Sequence, residues 1–296
     1  MKQSATFLTP VFYLFVGFSL FFLGCNNSPE TDTDIVIDET SEGNLEHAKD
    51  MMYLVPSPIE TVMLLHRAGA QYDSKLLNKV ENASNYETQL ERTVNLGIYA
   101  ADLSYASIFD MTQESMFYVS VCKKLAEGLG IMNAFDKNTI ERMENNINDR
   151  DSMLRIISDV YLIADAYLKE NENESASALI IAGGWLEGLH IAVGVAKNST
   201  DNEDLLDRIA EQKYALENLI ALLSSYSQNE DLSTMLADLM LIKAEFDKLE
   251  VTEEEADSGD NEDLTVIGDS YTINISPEQF KSIDNQLNTV RNKYIQ

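Results

Sequence analysis

The chain is predicted to be all-α: a helical-hairpin repeat bundle or short solenoid, closed by a small C-terminal β-hairpin plus helix. Three observations predict it. Apolar residues recur at helical spacing from Ser57 to Leu249, separated by short polar clusters rather than by strand-like alternation. Ser-x-x-Glu and Ser-x-x-Gln capping boxes stand at segment starts. One stretch of the chain also repeats itself further on. A length of 296 residues suffices for one large domain or two small ones.

At the N-terminus Lys2 supplies a positive start, Val11 to Leu23 is an apolar run of signal-peptide length, and Gly24 is the small residue of a cleavage site. The run is shorter than the about 20 residues of a membrane span. Phe22-Leu23-Gly24-Cys25 resembles the lipobox of bacterial lipoproteins, with Phe where Leu is more usual. The resemblance implies that residues 1–24 are a lipoprotein signal peptide and that Cys25 is acylated and becomes the new N-terminus. It further implies attachment to the bacterial cell envelope, with the outer membrane the expected site and its periplasmic or surface face left open. Two or more acyl chains would make that anchor stable, since each buried methylene contributes about 0.8 kcal/mol. Residues 25–46, rich in Asn, Asp, Glu, Ser and Thr, read as an acidic flexible tether.

Residues 47–249 form the expected helical domain. Ser57-Pro58-Ile59-Glu60 joins a capping box to a proline at the first helical position and starts a helix that stops at Gly69. A short helix follows around Ser74 to Val80. Ser84-Asn85-Tyr86-Glu87 is a second capping box, opening a long helix whose apolar stripe runs Leu90, Val94, Gly97, Ile98, Ala101, Tyr105 and Ile108. Thr112 starts the next helix, which stops at Gly128, and Asp136 opens a shorter one. Further helices are expected at about 150–171, 174–197, 203–227 and 231–249. Residues 250–263 read as an acidic linker. Leu264 to Ile267 and Tyr271 to Ile275 read as a hairpin about Gly268-Asp269. Ser276-Pro277-Glu278-Gln279 caps a terminal helix, and residues 264–296, too small to fold alone, are expected to dock on the body.

The repeat aligns Glu114–Ile131 on Glu174–Ile191, with six identities in eighteen positions that include Glu127/Glu187, Gly128/Gly188 and Leu129/Leu189. About one would be expected from ordinary residue usage. The preceding helices align through Arg92/Arg155, Ala101/Ala164 and Asp102/Asp165. Residues 84–131 and 148–194 therefore read as two copies of one helical hairpin, of tetratricopeptide-like character in architecture but without that family's period or pattern. Gly184, Gly188, Ala192 and Ala196 form a small-residue stripe, echoed by Gly97 and Ala101. Since glycine in a helix costs about 1 kcal/mol relative to alanine, the stripe implies close helix-to-helix approach as the offsetting gain.

The charge narrows the function. Lys and Arg number 21 against 50 Asp and Glu, giving a net charge of −29, made one unit more negative if Lys2 leaves with the leader. Such a field repels phosphate backbones and excludes nucleic acid as a partner. With Cys25 committed to lipid, Cys122 has no intrachain partner and reads as a buried small hydrophobe. His47, His66 and His190 are scattered, so neither a metal site nor a cofactor is expected. No G-x-S-x-G, H-E-x-x-H, phosphate loop or dinucleotide fingerprint occurs. The loop Asp257 to Asp263 lacks an EF-hand order and reads as solvated linker.

Asp102 and Asp165 are the candidate ligand-binding acids. Each lies late in a long helix, where the dipole disfavours a negative charge, and each borders the apolar stripe. Tyr99 and Tyr105 stand beside Asp102, in an aromatic set with Phe109, Phe117 and Tyr118 that reads as core or pocket lining. The stretch Leu96-Gly97-Ile98-Tyr99-Ala100-Ala101-Asp102-Leu103-Ser104-Tyr105 resembles uncharacterised lipoproteins of Bacteroidota, which carry no activity to transfer. The expected function is an envelope-anchored lipoprotein with a non-enzymatic helical binding or scaffold domain, its partners being the membrane through the lipid and an envelope protein or other envelope ligand. The alternatives are a helical hydrolase or lyase with a carboxylate and tyrosine cleft, and a purely structural envelope protein.

Overall fold

A computed structural model describes Met63, His66 and residues 70–199, 203–226, 228–254 and 270–296. Cys25, the tether, the Ser57 capping box and the expected strand at 264–267 lie outside the described residues. Two 3-10 turns, Ser74–Leu76 and Val80–Ser84, replace the expected short helix. They are followed by α1 (Gln89–Ile108), α2 (Thr112–Gly128), a 3-10 turn at Ile131–Ala134, α3 (Lys137–Asn145), α4 (Arg150–Glu170) and α5 (Glu174–Asn198). The chain continues through α6 (Glu203–Ser224), α7 (Glu230–Phe246), β1 (Glu250–Glu254), β2 (Ser270–Asn274) and α8 (Pro277–Tyr294). Among the described residues the fold is all-α apart from that pair of strands.

Local chemistry sets most of the boundaries. α1 starts four residues later than the Ser84 box suggests. The Ser84 hydroxyl instead donates to the Glu81 carbonyl at 2.9 Å and closes a 3-10 turn. Thr88-Gln89-Leu90-Glu91 has the same spacing and forms the capping box: Thr88 Oγ1 accepts from the Glu91 amide at 3.1 Å, and Glu91 Oε2 accepts from the Thr88 amide at 2.9 Å. Asp136, Asp149 and Asn229 cap α3, α4 and α7 through their side chains. Ser276 and Gln279 make the reciprocal box of α8.

α5 is the axis of the bundle. It packs against α1, α4, α6, α7 and α8, an arrangement that makes the body a bundle round one core helix and not a solenoid. Its length and hydropathy would allow a membrane crossing, but nearly nine-tenths of its apolar window is covered by protein. The closest crossing is α1 on α5. A Cβ added at Gly97 would lie 2.0 Å from the Ile180 carbonyl oxygen, and one at Gly183 would lie 2.1 Å from the Val94 carbonyl oxygen. The two backbones touch there, which accounts for glycine inside both helices.

The strands correct the expected hairpin. β2 pairs antiparallel with β1, in the register Glu250↔Asn274, Thr252↔Thr272 and Glu254↔Ser270. Its partner thus comes from the segment read as acidic linker. A two-stranded ladder has two open edges and is held by main-chain bonds, so glutamates are tolerated on it. Leu249 and Ile273 are buried and fasten the ladder to the core. α8 then lays Ile283, Leu287 and Val290, all fully buried, against α5 and α7.

The two hairpins α1–α2 and α4–α5 turn through the same loop. Asp110 and Glu172, each in the left-handed region at φ 57° and 55°, occupy the same place. The main-chain bonds match one for one: Met111 to Ala106 and Asn173 to Leu168, Asp110 to Ser107 and Glu172 to Lys169, Phe109 to Tyr105 and Asn171 to Tyr167. This register sets Asp102 opposite Ala164, one residue away from Asp165. One residue is about 100° round a helix, so the two acids face different neighbours.

Candidate functional site

Asp102 lies at the centre of a buried polar layer. It is fully buried on α1 and its Oδ2 accepts from the Asn78 amide at 3.2 Å. Beside it Glu187, fully buried on α5, takes a two-pronged bond from Arg291 of α8, with Nε to Oε2 and Nη2 to Oε1 both 2.5 Å. Arg291 Nη2 also donates to the Leu76 carbonyl at 3.2 Å, the oxygen that His190 Nε2 approaches at 3.1 Å. Asn78 donates to Tyr86 Oη and Asn95 Oδ1, Asn95 donates to the Tyr294 carbonyl at 2.7 Å, and Tyr118 donates to the Asn78 carbonyl. The segment 70–86, α1, α2, α5 and α8 thereby meet in one network.

Two carboxyls face one guanidinium here, so the layer carries one negative charge too many for a dry interior. Burial, and then the neighbouring Glu187, push the Asp102 carboxyl well above the usual carboxylate range. Its Oδ1 has no partner as an acceptor, and the Glu187 carboxylate neighbours the Asp102 carboxyl. A protonated Asp102 resolves both facts, since the proton removes the charge facing Glu187 and makes an unpartnered acceptor a donor, while Oδ2 accepts from Asn78. Burial works against the Arg291 charge, but the Glu187 carboxylate, with Asp102 behind it, more than restores it. Burial likewise pulls the His190 imidazole down, which leaves its neutral form to donate to Leu76.

The sign of the pH effect follows. The folded chain holds a proton on Asp102 at pH values where the unfolded chain has released it. The stability this proton gives is complete below the ordinary aspartate pKa of about 3.9 and is lost as pH climbs towards the raised folded value. Asp102→Asn keeps an acceptor for Asn78 and a donor for Glu187. Relative to the native protein the variant is expected to gain stability steadily from pH 4 upward, by about 1 kcal/mol or more at pH 8. Urea unfolding across that range checks it, and a pH-independent difference would contradict the shared proton.

Asp165 belongs to another cluster. It accepts from Lys169 Nζ at 2.8 Å, one turn along α4, and from the Ser177 hydroxyl of α5. It ties the two arms of its hairpin together and shares no bonding partner with Asp102. Tyr99 and Tyr105 are both fully buried and pin the segment before α1: Tyr99 donates to the Lys79 carbonyl at 2.7 Å, and Tyr105 donates to the Gln71 carbonyl while accepting from the Asp73 amide. Tyr105 also stacks on Tyr72 with ring centroids 5.2 Å apart. The four residues singled out in the sequence are thus all tied into the packing.

A different region offers space. A cavity of about 90 Å³ opens between α1, α2, α3, α4 and the turn at Ile131–Ala134. Its wall is apolar almost throughout, with Leu103, Met132, Phe135, Met143 and Ile157 among the lining. Cys122 and Tyr161 lie on it. The thiol is partly buried and its pKa is raised by burial, while the Tyr161 hydroxyl is sealed without a partner. Neither Asp102, Asp165, Tyr99 nor Tyr105 reaches this wall. Among the described residues no group of three or more His, Cys, Asp or Glu is placed to hold a metal ion.

Sequence reasoning missed Glu187 and Arg291 as partners, although a signal was present. Glu187 is an acid in the apolar run of α5, and Arg291 sits on the apolar stripe of α8 between Leu287 and Tyr294. A lone charge on each of two buried faces implies that the two meet. The loop register that pairs Asp110 with Glu172 sets Glu127 opposite Leu189, so the sequence alignment of Glu114–Ile131 on Glu174–Ile191 is two residues out. Glu127 and Gly128 stay exposed at the end of α2, while Glu187 and Gly188 are buried. Comparison with known families, with curated proteins and with solved structures finds no match to this chain.

Proposed function

We propose that the protein is a lipoprotein of the bacterial envelope, tethered through an acylated Cys25, whose helical body binds a ligand without carrying out chemistry on it. The observation that supports the binding reading is an apolar cavity that none of the buried acids reaches. The buried acids Asp102, Glu187, Asp165 and Asp238 are engaged by Asn78, Arg291, Lys169, Ser177, Lys293 and Tyr294, and the apolar cavity described above has no acid on its wall. General acid or base work needs an ionisable group poised to move a proton within hydrogen-bond reach of a bound substrate. Of the ionisable groups on this wall, burial pushes the Cys122 thiol and the Tyr161 phenol up, away from such a role, while Lys123 stands exposed. The tether of residues 25–46 and the net charge of −29 support a body held off an anionic membrane surface.

The anchor is tested by growing cells that express the full chain on an alkyne-tagged fatty acid and tagging the protein after extraction. The native chain is expected to carry label and to sediment with membranes, and the Cys25→Ser chain to do neither. Label retained by Cys25→Ser would refute acylation at that residue.

A further inference from the structure

The cavity beside α3 is closed by the least embedded helix of the body. α3 is nine residues long and rests mainly on α4. Ile140 and Met143 face the cavity from it, while Lys137 and Glu141 pair in solvent. Several wall residues, Val119, Met132, Phe135 and Val160 among them, keep part of their surface exposed, so the space communicates with the outside.

The wall fixes the chemistry of an occupant. The Thr139 hydroxyl is spent on Asp136 at 2.6 Å, and the Tyr161 hydroxyl is sealed behind its ring. No acid lines the cavity to meet a cation. The one charged lining residue, Lys123, is solvent-exposed at the rim, and the field of a chain at −29 opposes the approach of anions. A charge placed inside would lose its hydration with nothing in return. A cavity of ~150 Å³ lined by Leu, Ile and Phe holds a benzene. This one, at about 90 Å³, must enlarge by more than half to hold a ring, through movement of the unbranched side chains of Met132 and Met143 and of the lightly held α3.

From this wall, size and charge we infer that the α1–α4 cavity is a binding site for a small uncharged apolar molecule about the size of a single aromatic ring. The inference rests on the non-catalytic binding reading above and names its site and ligand class; it is independent of the lipid anchor. Toluene is the probe, and benzoate, close in shape but charged, is its control. The full chain, labelled with ¹³C at the methionine methyls, is titrated with each.

Toluene is expected to shift the Met132 and Met143 methyl signals along one saturable curve, with benzoate at least about tenfold weaker. Ala164→Leu and Ala100→Leu, which fill the cavity from two different helices, are each expected to weaken toluene binding about tenfold or more with the fold retained. Two variants on different helices keep the test open should one fail to fold. Unshifted Met132 and Met143 signals, equal response to benzoate, or full binding by folded variants of both kinds would overturn the inference. Such a failure leaves the Cys25 labelling result untouched, whereas label retained by Cys25→Ser leaves the toluene result untouched.

Discussion

Glu187→Gln is expected to cost about 3–5 kcal/mol of stability, the range seen when one member of a buried ion pair is removed. The Arg291 guanidinium would stay charged in the interior, its two short bonds to Glu187 replaced by contact with a neutral amide and the Leu76 carbonyl unchanged. Asp102 is the one neighbouring acid left to ionise and balance it, which sets the expected loss at the lower end of that range. α8 is the element held by this bond, so its loss should show first there. The Arg291 layer, the Asn95 bond to the Tyr294 carbonyl and the pairing of Asp238 with Lys293 and Tyr294 all secure the same last turns. Hydrogen exchange of the α8 amides, with urea unfolding for the total, checks the prediction. A paired Glu187→Met, Arg291→Met variant should recover much of the loss, because no unpaired charge then remains. Equal stability of Glu187→Gln and the native chain would show that the pair contributes nothing to the fold.

Gly97→Ala is expected to be the second costly change. The new methyl would sit 2.0 Å from the Ile180 carbonyl oxygen and 2.7 Å from the Gly184 amide nitrogen, both backbone atoms with no rotamer to yield. α1 and α5 would have to separate along the contact that organises the whole bundle. The expected loss lies near the top of the about 1–3 kcal/mol typical of overpacking, even after the about 1 kcal/mol that alanine gains over glycine in a helix. Gly128→Ala is the control. Its Cβ would meet only the flexible Arg92 side chain, at 3.3 Å, so a change within about 0.5 kcal/mol is expected. Thermal unfolding of both variants separates the contact from helix propensity. Matching melting temperatures for the two would refute the close-approach account.

Much of the fold was legible because it rests on local rules. The boundaries of α2, α3 and α8 follow from Thr112, Asp136 and the Ser276 box, and helix periodicity delimits α4 to α7. The errors arose where one local signal competed with another. Ser84-Asn85-Tyr86-Glu87 and Thr88-Gln89-Leu90-Glu91 have the same pattern, and only the tertiary setting of Tyr86, buried against Asn78, decides for the second. Glu250–Glu254 looks like linker because charge hides its alternation, and its strand exists only through pairing with a segment some twenty residues on.

The site was less legible than the fold. Asp102 stood out because an acid on an apolar stripe needs a reason. Its reason lies in Asn78, Glu187 and Arg291, on three separate segments, which no spacing within α1 reveals. Pairing it with Asp165 followed a sequence alignment that the loop bonds place one residue out of register. The apolar cavity left no motif at all, since a wall of Leu, Ile, Met and Phe reads in sequence like any other core.

Asp102 thus serves the fold as a buried, proton-bearing acid, bonded to Asn78 beside the Glu187–Arg291 pair. Carboxyl ¹³C NMR of the full chain, followed from acid to mildly alkaline pH, tests it most directly. The account predicts that Asp102 keeps the signal of a carboxylic acid after the exposed aspartates have ionised, and that this signal vanishes in Asp102→Asn. An Asp102 signal that titrates together with the exposed aspartates would contradict it.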